Sequence, residues 1–234
     1  IEAVCAATML VLCLWPIARA FSALVRDLRN GGTGLLVSML AVWFVAIFLR
    51  LVLTEPTFLS NLPDLHMFFE RLFSPLGPAS SWHHYHGMGG YMLHAGLAHL
   101  FGESYQTVIV VNGLLGSLAP LMLYLVTLRL MGDRRAAFIA AVLLAVFPPT
   151  IRVDVSEQIH SLSIFIVLIT YFSVLEVLDK PTLRSYLAAG IAGAAAMQMR
   201  AEAMPHVFFA CMLAMLRIRG MARPRWGFPL ILGI

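Results

Sequence analysis

Charge is scarce in this chain of 234 residues: Asp, Glu, Lys and Arg together make up only 12%, where a soluble domain carries about 25%. With 60% hydrophobic residues and a mean hydropathy of +0.86, the chain has too little polar surface to cover a water-soluble core of its length. This excludes an ordinary soluble domain. Lysine is nearly missing: of 16 cations all but Lys180 are arginines. They come in short clusters between apolar runs, not in a stripe that follows phosphates, so the net charge of +4 does not imply a nucleic-acid partner. Cysteine is limited to Cys5, Cys13 and Cys211, each inside an apolar run. They show neither metal-ligand spacing nor a disulfide framework and read as small hydrophobes. There is no solenoid repeat and no low-complexity tail.

Long apolar runs are what the chain has in abundance. They cover residues 3–17, 34–53, 107–128, 136–151, 160–178, 186–199 and 206–216, with another beginning near Phe228. About 20 apolar residues cross a hydrocarbon core of about 30 Å. The runs 34–53, 107–128 and 160–178 reach that length. The runs 136–151, 186–199 and 206–216 fall short, and must recruit flanking residues or end inside protein. The expected fold class is therefore all-α, a polytopic transmembrane helix bundle. The first run, with Pro16 near its end, is open between a crossing, an interfacial helix and the apolar region of a signal sequence. A chain that starts at Ile1 and stops in an apolar run reads as a single membrane module, 1–234, cut at both ends from something longer.

Alternation of charge sets the orientation. Arg19, Arg26, Arg29, Arg129, Arg134, Arg135, Lys180, Arg184, Arg217, Arg219, Arg223 and Arg225 fall in alternate gaps, leaving only Arg50, Arg71, Arg152 and Arg200 for the others. The positive-inside rule puts the first set in the cytoplasm. The polar insert 54–104, together with 152–157 and 200–205, then faces outside. This insert carries Asp64, Glu70, Arg71 and six of the 8 histidines. Leu65, Phe68, Phe69 and Leu72 recur at helical spacing and predict a short amphipathic helix lying on the membrane, with Pro63 and Asp64 in its first turn. The Ser/Pro/Gly stretch 74–81 breaks the chain. A second helix is expected from about Gly89 to Phe101, ended by Gly102.

Several residues are candidates for chemistry. Asp64, about a dozen residues beyond the second run, is either a general base at the membrane surface or a partner for the dipole of the helix it starts. His83, His84 and His86 form the run HHYH; they are headgroup-level imidazoles or hydrogen-bond partners of a phosphate, with no complete metal-ligand set beside them. Asp154 and Glu157, in RVDVSEQIH, are helix-terminus acids or a second acidic function facing the cavity of Asp64. Arg200 and Glu202, in MQMRAEAMPHVFF, sit between two short apolar segments. A cation there is costly unless paired, and its guanidinium suits a phosphate in fork geometry. Arg50 is expected to snorkel to the outer interface.

Three stretches taken together resemble the membrane-embedded GT-C glycosyltransferases, on the branch of bacterial relatives of the dolichyl-phosphate-mannose protein mannosyltransferases and the lipid A aminoarabinose transferases. The first is FLRLVLTEPTFLSNLPDLHMFFERL, an Arg-ended span followed by an outer loop with an early acid. The second runs from HHYHGMGG through HLFG, NGLLG and GDRRAA to FPPTI. The third runs from VSEQIHSLSIFIVLI to AAGIAGAAAMQMRAEAM. The resemblance covers about 50–205. It implies a GT-C-like bundle whose large first extracytoplasmic loop carries interfacial helices, in a bacterial plasma membrane with the site facing outside. It implies Asp64 as catalytic acid–base residue, Glu157 with Asp154 as the acid of the second outer loop, and Arg200 and His86 on the donor phosphate, supported by Glu202 and His84. The donor would be a polyprenyl-phosphate sugar embedded in membrane lipid, and the acceptor a protein, lipid or glycan. No cofactor is required outright, and a divalent metal is compatible. Two positions depart from the family's pattern: Gly87 and Met88 stand where prolines follow the histidine, and Asp64 stands alone where an acidic pair is usual. Two other classes fit the bare distribution of charge, a transporter or lipid-carrier permease and a non-catalytic scaffold.

Overall fold

The computed structural model describes residues 2–55, 100–102, 104–156, 160–200 and 203–218, and all regular structure among them is helical. Helix α1 (Glu2–Asn30) is followed by α2 (Gly32–Phe48), which continues without a break into a π-helical turn, Leu49–Leu53. After the insert come α3 (Tyr105–Met131), α4 (Arg134–Val146), α5 (Pro148–Asp154), α6 (His160–Asp179), α7 (Leu183–Met199) and α8 (Met204–Ile218). Three of these are long and apolar enough to cross a membrane, 32–53, 106–131 and 160–179, and α4 with α5 makes a fourth if taken as one broken span. Helices α7 and α8 are shorter, at 17 and 15 residues.

Local chemistry fixes the ends. Ser104 opens α3 by accepting from Thr107 N at 3.3 Å, a side-chain cap for an otherwise unsatisfied donor. Gly132 closes it at φ 70, returning its N–H to Leu128 O, a left-handed conformation that glycine adopts without a Cβ clash. Asp133 caps α4 through Arg135 N at 2.8 Å. Thr182 and Ser185 exchange side-chain and backbone bonds as a capping box for α7. The break between α4 and α5 falls at Phe147, ahead of Pro148 and Pro149, and turns the axis by 57°. Neither proline has an N–H to extend the ladder.

The sequence expectation of a first run ending at 17, then a gap holding Arg19, Arg26 and Arg29, is replaced by one continuous helix. Cys13, Pro16, Ala20, Leu24 and Leu28 form its buried stripe, the three-and-four spacing of one helix face. Arg19 does not interrupt it, because Glu176 on α6 takes up its charge at 3.1 Å.

The core lies among α3, α6 and α7, with α2 and α4 packed beside α3 and α1 laid against α7. Tyr124, Met122, Ile169, Phe172 and Met199 fill it. The alanines Ala188, Ala192, Ala195 and Ala196 are fully buried on α7; small side chains let helices approach closely in membrane bundles. Large apolar side chains such as Phe44, Val37, Leu143 and Phe208 are exposed, as a lipid-facing surface requires.

Polar groups gather at two ends. At one, Arg19 meets Glu176, Arg129 meets Asp179 at 3.1 Å, and Asp27 holds both Arg134 at 3.0 Å and the Tyr124 hydroxyl at 2.7 Å. At the other, the end from which the insert departs, lie Arg50, Asn112, Asp154, Ser156, His160 and Arg200. This separation matches the charge alternation of the sequence. Of the insert's expected second helix, only Leu100 and Phe101 are described; they are helical, and Gly102 at φ 112 follows them. The amphipathic helix expected at 65–72 lies outside the described residues.

Candidate functional site

Two arginines organise the insert end. Arg50 sits in the π-helical turn that ends α2 and is 1% exposed. Its Nε donates to Asp154 Oδ2 at 2.7 Å, and its Nη1 donates to Ala145 O at 3.0 Å and Ala46 O at 3.2 Å. Asp154, the last residue of α5, is 2% exposed. A desolvated charge is tolerable only in company, and the short charge-assisted bond supplies it. The expectation that Arg50 snorkels to the interface is therefore corrected. Its side chain turns inward, because a carboxylate and a helix-end carbonyl without a donor of its own await it there.

Helix α3 is shaped to receive this pair. Asn112, wholly buried, donates Nδ2 to Ser156 O at 2.8 Å and so ties down the chain just after α5. A Cβ on Gly116 would fall among the carboxyl atoms of Asp154, and one on Gly113 would meet Leu51 of the π-helical turn. The NGLLG pattern thus has a direct physical reason: its first residue caps, and its two glycines clear space for the neighbouring elements. The Ser161 hydroxyl also approaches Asp154, though among the described residues it completes no hydrogen bond.

The second arginine, Arg200, follows α7 in extended conformation, at φ −154 and ψ 140, and is 7% exposed. Its Nη1 lies 3.0 Å from Nδ1 and 2.8 Å from Nε2 of His160, the first residue of α6. Being near both ring nitrogens at once, Nη1 sits over the imidazole; a guanidinium only donates, so any hydrogen bond here is accepted by whichever ring nitrogen carries no proton. His160 adjoins Ser161, which places the Arg200–His160 contact next to the Arg50–Asp154 pair along one polar seam.

Of the residues singled out from sequence, the structure places Asp154 and Arg200 on this seam at the insert end. Asp154 is engaged by Arg50 and not open to a cavity. Asp64, His84, His86, Glu157 and Glu202 lie outside the described residues. Among the described residues no three His, Cys, Asp or Glu side chains converge as metal ligands do. Sequence reasoning gave no role to His160 or Asn112 and the wrong disposition to Arg50. One signal was present for Arg50: a cation and a carboxylate, each at the outer end of an apolar run, have strong reason to find one another across 104 residues.

Chemically, the seam offers fixed positive charge and hydrogen-bond donors at one end of the bundle, arranged on α3, α6 and the end of α7 and held from below by the buried ion pair between α2 and α5. Such a surface suits an anionic group whose substituent remains in lipid. A sequence model of the family described as dolichyl-phosphate-mannose-protein mannosyltransferase matches residues 86–232. The matched range includes His86, Asp154, Glu157, Arg200 and Glu202, and begins after Asp64 and His84. No curated protein and no solved structure matches the chain.

Proposed function

Because the chain belongs to the dolichyl-phosphate-mannose-protein mannosyltransferase family, a family of GT-C glycosyltransferases, we propose that it transfers a sugar from a polyprenyl-phosphate donor to an acceptor at the extracytoplasmic face of a bacterial plasma membrane. The acceptor is a protein, a lipid or a glycan. The observation that carries this reading is Arg200: a nearly buried guanidinium in the matched range, set against His160 at the end of the bundle opposite the arginine-rich gaps.

The chemistry follows from the donor. Its polyprenyl tail stays among the exposed apolar faces of the helices while its phosphate reaches the polar boundary. An acceptor hydroxyl attacks the anomeric carbon, the bond from that carbon to the phosphate oxygen breaks, and the phosphate leaves with the electron pair. A single displacement inverts the anomeric centre. Asp64 takes the hydroxyl proton as general base. Arg200 meets the charge that develops on the leaving phosphate, with His86 assisting and Glu202 and His84 in support. Glu157 is the acid of the second outer loop, next to the connection that Asp154 anchors. A divalent ion is compatible with this scheme but no step depends on one.

The test is sugar transfer in proteoliposomes offered a panel of radiolabelled polyprenyl-phosphate sugars. The wild type is expected to consume one of them with formation of a glycosidic bond. Asp64→Asn is expected to insert normally and to lose transfer by a factor of about 100 or more. Unchanged turnover in that variant removes Asp64 from its role. Movement of donor across the bilayer without bond formation overturns the reading as a whole.

A further inference from the structure

We propose that Arg50 is a positioning residue for this reaction: it supplies the hydrogen-bond donor that the break at Phe147–Pro149 denies to Ala145 O, and through Asp154 it sets where the outer connection before α6 stands. The proposal deepens the functional reading above and rests on it for its kinetic part.

In an α-helix the carbonyl of residue i accepts from the N–H of residue i+4. For Ala145 that donor is missing, because α4 ends at Val146 and Phe147, ahead of Pro148 and Pro149, turns extended at ψ 111. A buried carbonyl left without a partner costs about 1–3 kcal/mol. Here Arg50 Nη1 reaches across from α2 and donates to Ala145 O at 3.0 Å, while its Nε holds Asp154 at 2.7 Å. One guanidinium therefore touches both sides of the bend: Ala145 at the end of α4 and Asp154 at the end of α5. The planar fork fixes the two contacts relative to each other, and with them the angle between the two helices.

The consequence runs outward along the chain. Asp154 leads to Ser156, whose carbonyl is held by Asn112 at 2.8 Å. Four residues later His160 begins α6 and meets Arg200. A link of that length spans at most about 13 Å, so the position of one anchor limits the other. Glu157 lies inside the link. Arg50 touches neither donor nor acceptor in this scheme; it acts by fixing one end of a short strap whose other end carries the partner of Arg200.

The test is a mutant cycle of Arg50→Lys against the paired change Pro148→Ala/Pro149→Ala, read on the full chain by thermal unfolding in detergent. Lysine keeps the charge for Asp154 but has no planar fork with which to serve Ala145 O as well. Arg50→Lys alone is expected to lower Tm by about 5 °C. In the Pro148→Ala/Pro149→Ala background the same change is expected to cost less than half as much, because Phe147 is then free to continue the helix and the backbone N–H restored at position 149 serves Ala145 O. Additive shifts overturn the claim that Arg50 fills the proline vacancy.

Two further measurements on Arg50→Lys address positioning. Amide exchange across 155–160 is expected to quicken about 10-fold. For folded protein, kcat is expected to fall about 10- to 100-fold, with a smaller rise in the donor KM because the same link carries His160, the partner of Arg200. Exchange and kcat both at wild-type values overturn the positioning role, even if the stability cycle shows coupling. A wild type that transfers no sugar overturns the functional reading instead, and leaves the stability and exchange results to decide the fate of the bend.

Discussion

Substituting Gly116 with alanine asks whether α3 is shaped around the buried carboxylate. An added Cβ would coincide with the Asp154 carboxyl atoms. That group is only 2% exposed and held by Arg50, so it has no free direction in which to retreat. Two outcomes are open to the chain. It can absorb the overlap by shifting α5 away from α3, at about 1–3 kcal/mol for overpacking. Alternatively the carboxylate swings off Arg50, which leaves a buried charge uncompensated at about 3–5 kcal/mol. Against either stands a gain of about 1 kcal/mol for alanine over glycine in a helix. The first route nets about 0–2 kcal/mol and the second about 2–4, so a loss of about 2 kcal/mol is expected, or about 4–8 °C in Tm for a chain of this size. Gly190→Ala is the control. It is also helical, it faces outward, and nothing lies within 4 Å of the place its Cβ would take, so it is expected to leave Tm unchanged or raise it slightly. Gly113→Ala should fall between, because the atom it meets first is the Leu51 Cδ2 end of a flexible side chain. Thermal unfolding of the three purified variants decides the matter. A Gly116→Ala protein as stable as Gly190→Ala refutes the packing argument.

Two other perturbations address the second arginine and the opposite end. Arg200→Ala is expected to raise the donor KM at least about 10-fold and to lower kcat, with Arg200→Lys intermediate because lysine keeps charge but not the fork; steady-state kinetics with the accepted donor measures both, and an unaltered KM in the alanine variant removes the phosphate contact. Thr182→Ala deletes the hydroxyl that accepts from Ser185 N at 3.2 Å and is expected to cost about 1 kcal/mol, with transfer per folded molecule unchanged; a kinetic defect there would mean that this end of α7 takes part in the reaction.

The helical character of the chain, the apolar spans and the sorting of charge into two ends were legible because each is written in consecutive residues. Hydropathy over a window needs no tertiary information, and cations in alternate gaps need only be counted. What sequence left open depended on pairings between distant residues. The gap after residue 17 looked polar, but Glu176 lies on a helix far along the chain and turns Arg19 into a packed residue of α1. Arg50 looked like an interfacial cation because its position at the end of an apolar run is the same whether it turns outward or inward. Only Asp154 and the proline-deprived Ala145 carbonyl decide between the two. The motif NGLLG was recognisable as a pattern before its reason was visible: Asn112 and Gly116 serve Ser156 and Asp154, about forty residues downstream. His160 carried no signal of its own, since a single histidine opening an apolar run is unremarkable until Arg200 lies over it. For Asp64, His84, His86, Glu157 and Glu202 the assignment rests on the resemblance; His86, Glu157 and Glu202 lie within the matched range 86–232.

The bend at Phe147–Pro149 also bears on the surrounding bilayer. Helix α4 has 13 residues and α5 has 7, inclined by 57°. At 1.5 Å per residue, their combined height is about 25 Å, a few ångströms less than an average hydrocarbon slab. Where α4 and α5 together serve as one crossing, the lipids bordering it must thin, at a fraction of a kcal/mol for each ångström of mismatch. The outer headgroup layer is thereby drawn down beside α5. In the proposed reaction, a polyprenol-linked phosphate diffusing in that leaflet would meet a dimple here, with less hydrocarbon to cross on the way to Arg200.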